Sequence, residues 1–375
     1  MLPLALPDPA QAPALVAPEG CRPAQSCCTF VVRHLLLESL TLLDRLQSQS
    51  RGLLERRDVA VVEVAGQSLP VPVLSLGSRA PEVPAIGFFG GVHGLERIGS
   101  QVVLSYLASL VARLRWDELL HQQLQGLRMV FMPLVNPGGL LLGTRANPAG
   151  VDLMRNAPVE AERPVPFLVG GQRLSASLPW YRGRAGAKMQ PEAQALCQVV
   201  CDELLRHRAA LSIDCHSGFG LDDRIWFPFA CSTKPIMHLP EMLALSELLD
   251  QTHAQHRYVF EPQSRQYLTH GDLWDYLYLE SCQMPDRPDR VFLPLTLEMG
   301  SWLWVKKNPR QLFSRDGIFN PKVSHRQQRV LRRHLVWLDF CARAAFSLPR
   351  WLPTGAGRER AHERALDRWY RGVRA

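Results

Sequence analysis

The chain has 375 residues, of which 46% are hydrophobic and 21% are charged. This composition is typical of a globular protein and excludes an intrinsically disordered one. The formal net charge is +8, and Arg350–Ala375 contributes half of it, with seven arginines against three acidic residues. No apolar run reaches the roughly 18 residues that a membrane-spanning helix needs, so we expect no membrane insertion.

Cysteine usage and the N-terminal segment predict the compartment. Nine cysteines are scattered over the chain without a Cys-x-x-Cys pair. This pattern predicts reduced thiols, a cytoplasmic protein and no finger-type zinc site. Residues 1–26 are expected to be a disordered leader. A secretory signal is not expected, because Met1–Gly20 contains no lysine or arginine.

The first predicted elements are a long helix and two strands. Apolar residues recur at helical spacing over residues 30–56 and predict a helix. Strands at 59–64 and 69–76 follow. Pro70 and Pro72 cannot donate ladder hydrogen bonds, so we expect the second strand to lie at a sheet edge.

From residue 85 onwards, predicted strands and helices alternate. This alternation predicts an α/β fold with a mixed, mostly parallel central sheet and helices on both faces. Residues 136–190 lack periodicity, and an irregular segment of that length is usually functional. The predicted elements are, in chain order, a strand at 85–90, a helix at 99–114, a strand at 127–135, a helix at 191–207, strands at 211–214 and 225–229, helices at 241–255 and 272–281, a strand at 291–299 and a helix at 325–346.

The first chemically informative motif is the turn after the strand at 85–90. His93 and Glu96 are separated by two residues in the run Gly-Gly-Val-His-Gly-Leu-Glu. A tight strand-to-helix turn lets an imidazole nitrogen and a carboxylate oxygen converge on one point, as zinc requires at roughly 2.0–2.2 Å from each ligand. The plainer explanation is a surface turn, because such a pair is frequent by chance.

A third candidate ligand, His216, follows the apolar strand at 211–214. It precedes a glycine-rich turn. It is either a core histidine satisfied by the backbone or a third metal ligand. Two histidines and a glutamate that leave a fourth position for water form a catalytic zinc site. Asp214 is then a candidate acceptor for a hydrogen bond from a ligand.

Glu298 lies near the end of the apolar strand at 291–299. A carboxylate there needs a partner if it is buried. A structural salt bridge is one explanation. We favour a general base, which zinc hydrolases place beside the activated water.

Two arginines lie ten residues apart in the irregular segment. Arg145 and Arg155 flank a Gly-Val-Asp motif in a glycine-rich loop. An arginine can grip a carboxylate with two hydrogen bonds or stabilise an oxyanion. Taken singly, each arginine is as well explained by a solvated surface position.

The order and spacing of these motifs resemble those of the M14 zinc carboxypeptidases. The likeness runs from about Ala85 to Trp304, and it implies the phosphorylase/hydrolase-like fold of that family and one Zn²⁺ per chain. The motifs that carry it are His93-x-x-Glu96, Asn136-Pro-x-Gly139, Gly150-Val-Asp152-x-x-Arg155-Asn156, Tyr181-x-Gly183, Gln190-Pro-Glu192, His216 and Glu298.

The resemblance also implies a role for each site residue. His93, Glu96 and His216 would be the zinc ligands, and Glu298 the base. Arg145 would polarise the scissile carbonyl. The terminal carboxylate of the substrate would be bound by Arg155 and Asn156, and Tyr267 would close over the substrate, although Tyr276 and Tyr278 are close to it in sequence.

Two departures from the family pattern weaken the expected capture of a peptide C-terminus. Met154 stands where the family usually has an asparagine, and Leu95 stands where it often has an arginine. The turn around His93 also resembles that of the aspartoacylase and succinylglutamate desuccinylase branch, whose members deacylate N-acyl amino acids. A β-rich region tends to follow the catalytic glutamate there, whereas a helix is predicted here.

We therefore predict a zinc-dependent metallocarboxypeptidase that acts on a substrate with a free carboxylate. The alternatives are an N-acyl amino acid amidohydrolase with the same metal and base, and a catalytically inactive binding protein. We expect one catalytic zinc-hydrolase domain over 27–348 and a basic tail over 349–375. The tail is expected to be a solvated helix. Because no nucleic-acid module is recognisable, no nucleic-acid partner is expected.

Overall fold

The computed structural model describes residues 23–285, 289–314 and 316–371. Its centre is an eight-stranded sheet with the strand order β1-β2-β4-β3-β5-β8-β6-β7. The strands are β1 (Glu55–Val64), β2 (Gln67–Gly77), β3 (Ala85–Gly90), β4 (Arg128–Met132), β5 (Ala209–Ser217), β6 (Arg224–Phe227), β7 (Val259–Pro262) and β8 (Val291–Met299).

Eleven helices surround this sheet in the described part of the chain. They are α1 (Pro23–Gln49), α2 (Arg97–Arg113), α3 (Glu118–Gln125), α4 (Pro137–Leu142), α5 (Pro191–Val199), α6 (Leu239–Thr252), α7 (Leu273–Gln283), α8 (Trp302–Lys307), α9 (Ser324–Phe346), α10 (Leu348–Trp351) and α11 (Gly355–Trp369). A π-helical turn, Val200–Leu204, continues α5, and short 3₁₀ turns occupy Leu153–Arg155, Gln263–Arg265 and Pro309–Phe313.

The predicted mixed, mostly parallel α/β sheet is confirmed. The pairs β3–β4, β3–β5, β5–β8 and β6–β7 are parallel, whereas β1–β2, β2–β4 and β6–β8 are antiparallel. The central strands β3, β5 and β8 are almost entirely buried. Strands that are covered on both faces read as continuous apolar runs, which explains why the sequence identified them.

The predicted edge position of the second strand is wrong. Strand β2 lies between β1 and β4. However, β4 pairs only with residues 74–77 of β2, whereas Pro70 and Pro72 face Val61 and Asp58 of β1 beside a bulge. The prolines are tolerated because this half of β2 has a single strand neighbour.

The bounds predicted for the first helix, residues 30–56, and for the strand at 211–214 were also inaccurate. Helix α1 starts at Pro23, inside the predicted leader, and ends at Gln49. Arg51 and Gly52 then take positive φ angles, which end the helix before β1 begins. Residues 1–22 lie outside the described residues. Strand β5 extends from Ala209 to Ser217, so it is longer at both ends than the strand predicted at 211–214, and His216 lies near its end as expected.

The basic C-terminal segment is not a solvated helix. Helix α11 buries Ala361, Ala365 and Trp369 and packs on α6. The Trp369 indole donates a hydrogen bond of 2.8 Å to the Phe260 carbonyl. Three arginines of α11 form ion pairs with acidic residues of α6. These pairs are Arg358–Glu241, Arg364–Glu247 and Arg368–Asp250. Among the described residues, no helix has the length and hydropathy to cross a bilayer.

Candidate metal and catalytic site

The candidate site lies at the carboxyl ends of the neighbouring strands β3, β5 and β8. His93 is in the turn after β3, and His216 lies in β5. The β5–β8 register places His216 directly beside Glu298. In an open α/β sheet, ligands bind outside this edge. The topology therefore brings together residues that are more than 200 positions apart in sequence.

Three of the predicted side chains converge on one point. His93 Nδ1 and His216 Nδ1 are 3.2 Å apart. Each lies 3.1 Å from a different carboxylate oxygen of Glu96. All three ligand atoms lie within 4.8 Å of one another, and the three residues are buried. Two imidazole nitrogens and a carboxylate oxygen in this arrangement fit a zinc ion.

Glycines allow the backbone to assemble this cluster. Gly91 has a φ of 71° at the turn that delivers His93. A Cβ on Gly99, in the first turn of α2, would lie 2.1 Å from the Cys215 carbonyl oxygen. The absence of a side chain at Gly99 therefore lets α2 approach β5. This approach places Glu96, immediately before α2, beside the Ser217 amide, which donates a hydrogen bond of 2.9 Å to it.

Carboxylates orient the histidines through their outer nitrogens. His93 Nε2 lies 3.0 Å from Asp152 Oδ1, and His216 Nε2 lies 2.7 Å from Asp214 Oδ2. Trp274 donates an indole hydrogen bond of 2.9 Å to the same Asp214 oxygen. Each contact holds the proton on Nε2 and leaves Nδ1 free as a ligand. The donor set and its supporting residues therefore fit zinc.

The charges around the cluster favour a cation. Burial alone would raise the pKa of Glu96, but the imidazoles of His93 and His216 outweigh burial and lower that pKa. Burial also opposes ionisation of Asp152, yet Arg145 and His93 hold its pKa well below the usual value. Both carboxylates are therefore ionised at neutral pH, as a carboxylate must be to bind a divalent cation or to support its ligands.

Glu298 lies beside the triad and is held by the backbone. The Phe219 amide donates a hydrogen bond of 3.1 Å to Glu298 Oε1. Burial, together with the charge of Glu96, raises the pKa of Glu298 to about 8. A buried carboxyl group with a raised pKa is suited to accepting and releasing a proton near neutrality.

Arg145 reaches the cluster from the irregular segment. Its Nε donates to Asp152 Oδ2 at 2.8 Å, and its Nη1 donates to Glu96 Oε1 at 3.0 Å. Asp152 therefore contacts a proposed ligand and the proposed oxyanion-stabilising arginine at the same time. The guanidinium is therefore held directly beside the triad.

Arg155 is buried, with a relative exposure of 3%. Its Nη1 donates to the Met154 carbonyl and its Nε to the Val169 carbonyl. The side chain of the neighbouring Met154 is buried with the apolar core and offers no polar group. The arginine is thus fixed by backbone carbonyls and not by an adjacent amide side chain.

The structure places Tyr267 in the site, in preference to its neighbours in sequence. Burial raises the pKa of Tyr267, and the charges of Arg155 and Glu298 lie close enough to its hydroxyl to influence that pKa. The Tyr278 hydroxyl instead lies 2.9 Å from His238 Nδ1. The pKa of Tyr276 is raised by burial and by the charges of Glu280, Cys197 and Cys201, none of which belongs to the site.

The side-chain amide of Asn156, whose substrate contact stays a prediction, makes two hydrogen bonds within the irregular segment. Its Nδ2 donates to the Arg182 carbonyl at 3.0 Å, and its Oδ1 accepts from the Gln190 amide at 2.6 Å. Both ends of the amide therefore hold the two arms of the irregular segment together. This use of the side chain depends on contacts 26 and 34 residues away, which the local motif did not reveal.

Sequence reasoning missed two supporting residues. Asp152 was visible in the Gly-Val-Asp motif, but nothing in the sequence linked it to His93. Trp274 lies at the second position of α7, where the sequence pattern predicts an ordinary core residue. Its contact with Asp214 spans 60 positions, and only the tertiary structure reveals it.

Comparisons with known proteins agree with this geometry. A family model described as zinc carboxypeptidase, Peptidase_M14, matches residues 54–286. Carboxypeptidase D of Drosophila melanogaster is 29% identical over 125 residues, which are 31% of this chain and 8% of that protein. The chain thus matches only a small part of that relative.

Solved structures of carboxypeptidases share the fold. Thrombin activatable fibrinolysis inhibitor superposes with a TM-score of 0.62 at 18% identity, over 83% of this chain and 74% of that chain. Carboxypeptidase A from Helicoverpa armigera superposes with a TM-score of 0.60 at 15% identity, over 81% of this chain and 71% of that chain.

Proposed function

The chain belongs to the zinc carboxypeptidase family, and from this premise we propose that it hydrolyses the amide bond next to a C-terminal carboxylate. One observation carries the proposal: the buried convergence of His93, Glu96 and His216 beside Glu298. A binding protein would need the fold but not a proton acceptor next to a metal triad.

Zinc is the cofactor of this family, and His93, Glu96 and His216 are the residues that would hold it. When bound, zinc supplies Lewis-acid activation of a water molecule and of a carbonyl group. The two histidines present Nδ1 inwards because Asp152 and Asp214 hold their outer nitrogens. Ligand orientation is therefore set by the protein before any metal binds.

Glu298 supplies the proton transfer. It takes a proton from the attacking water and delivers it to the nitrogen of the leaving amine as the carbon–nitrogen bond breaks. The Phe219 amide fixes one carboxylate oxygen and leaves the other for this exchange. A pKa raised by burial makes the carboxylate a stronger base than a solvated glutamate.

Two arginines would bind two different groups of the substrate, the scissile carbonyl and the terminal carboxylate. Arg145, beside the triad, is positioned to stabilise the developing oxyanion of the scissile carbonyl. Arg155 is positioned to bind the terminal carboxylate through charge-assisted hydrogen bonds. Tyr267 lies near the charges of both arginines and of Glu298, where its ring would cover a bound substrate.

The family match does not favour the alternative activity on small N-acyl amino acids. A substrate panel separates the two activities. Zinc-loaded protein is incubated with N-acetylated dipeptides that differ in their C-terminal residue, with the same dipeptides amidated, and with N-acetyl amino acids. We expect hydrolysis of the dipeptides with a free carboxylate and loss of activity with a chelator. Exclusive hydrolysis of the N-acetyl amino acids, or none by zinc-bound protein, would refute the proposal.

We also propose a cytoplasmic location, which rests on the cysteine pattern of the sequence. Its test is fractionation of the native host, followed by detection of the protein in each compartment. Recovery mainly from the periplasmic or extracellular fraction would overturn it.

A further inference from the structure

A second cavity lies at the far end of α2 from the candidate site. Glu96 immediately precedes α2, whereas Arg113, the last residue of this helix, lines the cavity. A helix of 17 residues is about 25 Å long. The cavity has a volume of about 780 Å³, which lies within the usual range for small-molecule sites. We call it the distal cavity, and its lining includes Arg113, Leu248, Phe340, Arg343, Arg350 and Trp351.

The apolar wall of the distal cavity is held rigidly by aromatic contacts. The Phe340 ring meets the His253 ring edge-on at 5.2 Å and stacks on Trp337 at 5.5 Å. The Trp351 indole donates a hydrogen bond of 2.8 Å to the Ala344 carbonyl, which fixes α10 against the end of α9. The wall is therefore pre-organised, and pre-organisation lowers the entropic cost of binding a ligand on it.

The charges around the distal cavity are unevenly paired. Asp339 lies 3.1 Å from Arg113 and 2.7 Å from Arg343. Arg113 also pairs with Asp117 at 2.8 Å. Arg350, in contrast, is exposed and forms no ion pair with any residue that the structure describes. Its guanidinium therefore remains available for an anion, which it can bind with two parallel hydrogen bonds.

The distal cavity also contains an unused hydrogen-bonding group. Tyr106 is 2% exposed, and its hydroxyl has no hydrogen-bond partner among the described residues. Burial raises the pKa of Tyr106, and the charges of Asp339 and Arg113 also act on it, so the hydroxyl lies on the charged side of the cavity. Buried hydroxyl groups are normally paired, and a polar group bound in the cavity would give this one a partner.

Apolar walls, a surplus of positive charge and an unpaired guanidinium together define the ligand. We propose that the distal cavity binds a small amphipathic carboxylate, with its apolar body against Leu248, Phe340 and Trp351 and its carboxylate on Arg350. None of the described residues that line the cavity belongs to the candidate metal and catalytic site. The inference therefore does not depend on the proposed function.

The test compares two ligands that differ only in charge. Octanoate and its neutral counterpart octanamide are titrated into zinc-loaded protein, and their dissociation constants are measured by calorimetry. We expect one saturable octanoate site per chain, with octanamide bound about tenfold more weakly, because the amide cannot form the charge-assisted pair with Arg350. Equal affinities, or octanoate binding that does not saturate, would overturn the proposal.

Substitutions then separate the charged end of the distal cavity from its apolar wall. Arg350→Gln should weaken octanoate binding about tenfold and leave octanamide binding unchanged, whereas Leu248→Ala should weaken the binding of both ligands. Arg329 is an exposed arginine of α9 outside the lining of the cavity. Arg329→Gln is therefore the matched control and should keep the full preference for octanoate.

A final variant distinguishes the distal cavity from the candidate site. Arg155→Ala removes the proposed anchor for a substrate carboxylate, and it should leave octanoate binding unchanged. Octanoate binding that is lost in Arg155→Ala but kept in Arg350→Gln would place the ligand in the candidate site and overturn the proposal. Hydrolysis of the dipeptide panel reports on the proposed function independently, so the two proposals fail separately.

Discussion

At the scale of single residues, the site depends on pairs of carboxylates and histidines. Each imidazole has one nitrogen directed at the metal position and the other held by an aspartate. A neutral imidazole has one donor and one acceptor nitrogen, so the aspartates decide which nitrogen is the ligand. Asp152 also binds Arg145, and it therefore positions two functional groups with one side chain.

Replacing the proposed base tests its chemical role without changing its shape. Glu298→Gln should retain zinc and lose turnover by about 10²–10⁴-fold, because the amide cannot accept the proton. Metal analysis and steady-state kinetics on the best dipeptide are the measurements. A near wild-type rate would show that Glu298 is structural. Glu359→Gln, on the surface of α11, is the matched control and should keep full activity.

Arg155→Ala tests the carboxylate anchor. The loss of a charge-assisted hydrogen bond should weaken binding by about 1.5–3 kcal/mol. KM should therefore rise strongly for dipeptides with a free carboxylate and little for amidated ones. Arg184 is an exposed arginine of the same segment. Arg184→Ala is therefore the control, and it should leave KM unchanged for both substrate types. Equal effects of Arg155→Ala on the two substrate types would show that Arg155 does not read the carboxylate.

At the scale of secondary-structure elements, the site requires close packing of α2 on β5. Gly99 brings the helix against the carbonyl of Cys215, and Glu96 precedes the same helix by one position. The separation between helix and strand thus sets the distance between the carboxylate of Glu96 and the imidazole of His216. A displacement of α2 would open the triad.

Gly99→Ala should therefore weaken zinc binding. Alanine is the better helix former by about 1 kcal/mol. Its Cβ would, however, lie 2.1 Å from a backbone oxygen, and overpacking of this kind costs about 1–3 kcal/mol. We expect a lower thermal midpoint and a higher zinc dissociation constant, measured by differential scanning calorimetry and chelator competition.

Gly357→Ala is the control for that substitution. Gly357 also lies in a helix, but no atom lies within 4 Å of a Cβ built on it. This variant should be neutral or slightly stabilising. Full zinc affinity in Gly99→Ala would mean that α2 can shift without moving Glu96.

At the scale of the whole molecule, distant parts of the chain are tied to the catalytic sheet. Helix α11 packs on α6, and Trp369 reaches the rings of Phe227 and Phe260 on β6 and β7. Its arginines lie opposite acidic residues of α6. Much of the positive charge of the C-terminal segment is thus compensated within the fold.

Metal binding should be linked to global stability. The three proposed ligands are assembled only in the folded chain, so zinc at 100 times its dissociation constant should stabilise the protein by about 2.7 kcal/mol. We expect one zinc per chain and a zinc-dependent rise of the thermal midpoint. His93→Ala and His216→Ala should lose both, whereas His325→Ala, an exposed histidine at the start of α9, should keep both. Full zinc occupancy in either ligand variant would exclude the proposed triad.

Two of the strands that carry the site, and the unusual residues at the strand ends, were predictable from the order of the amino acids alone. Buried parallel strands are continuous apolar runs, so the bounds of β3 and β8 agree with the predicted ones. His93, Glu96, His216 and Glu298 were recognisable because their residue types are unusual at the ends of such strands.

The contacts that support those residues, in contrast, are visible only in the folded chain. The interior place of β2, the packing of α11, the Asp214–Trp274 contact and the use of Asn156 between two loop arms all depend on groups that are far apart in sequence. Local periodicity and motif spacing report which face of an element is apolar and which residues share a turn. They do not report which distant surface completes the packing, because that choice is made by the whole fold.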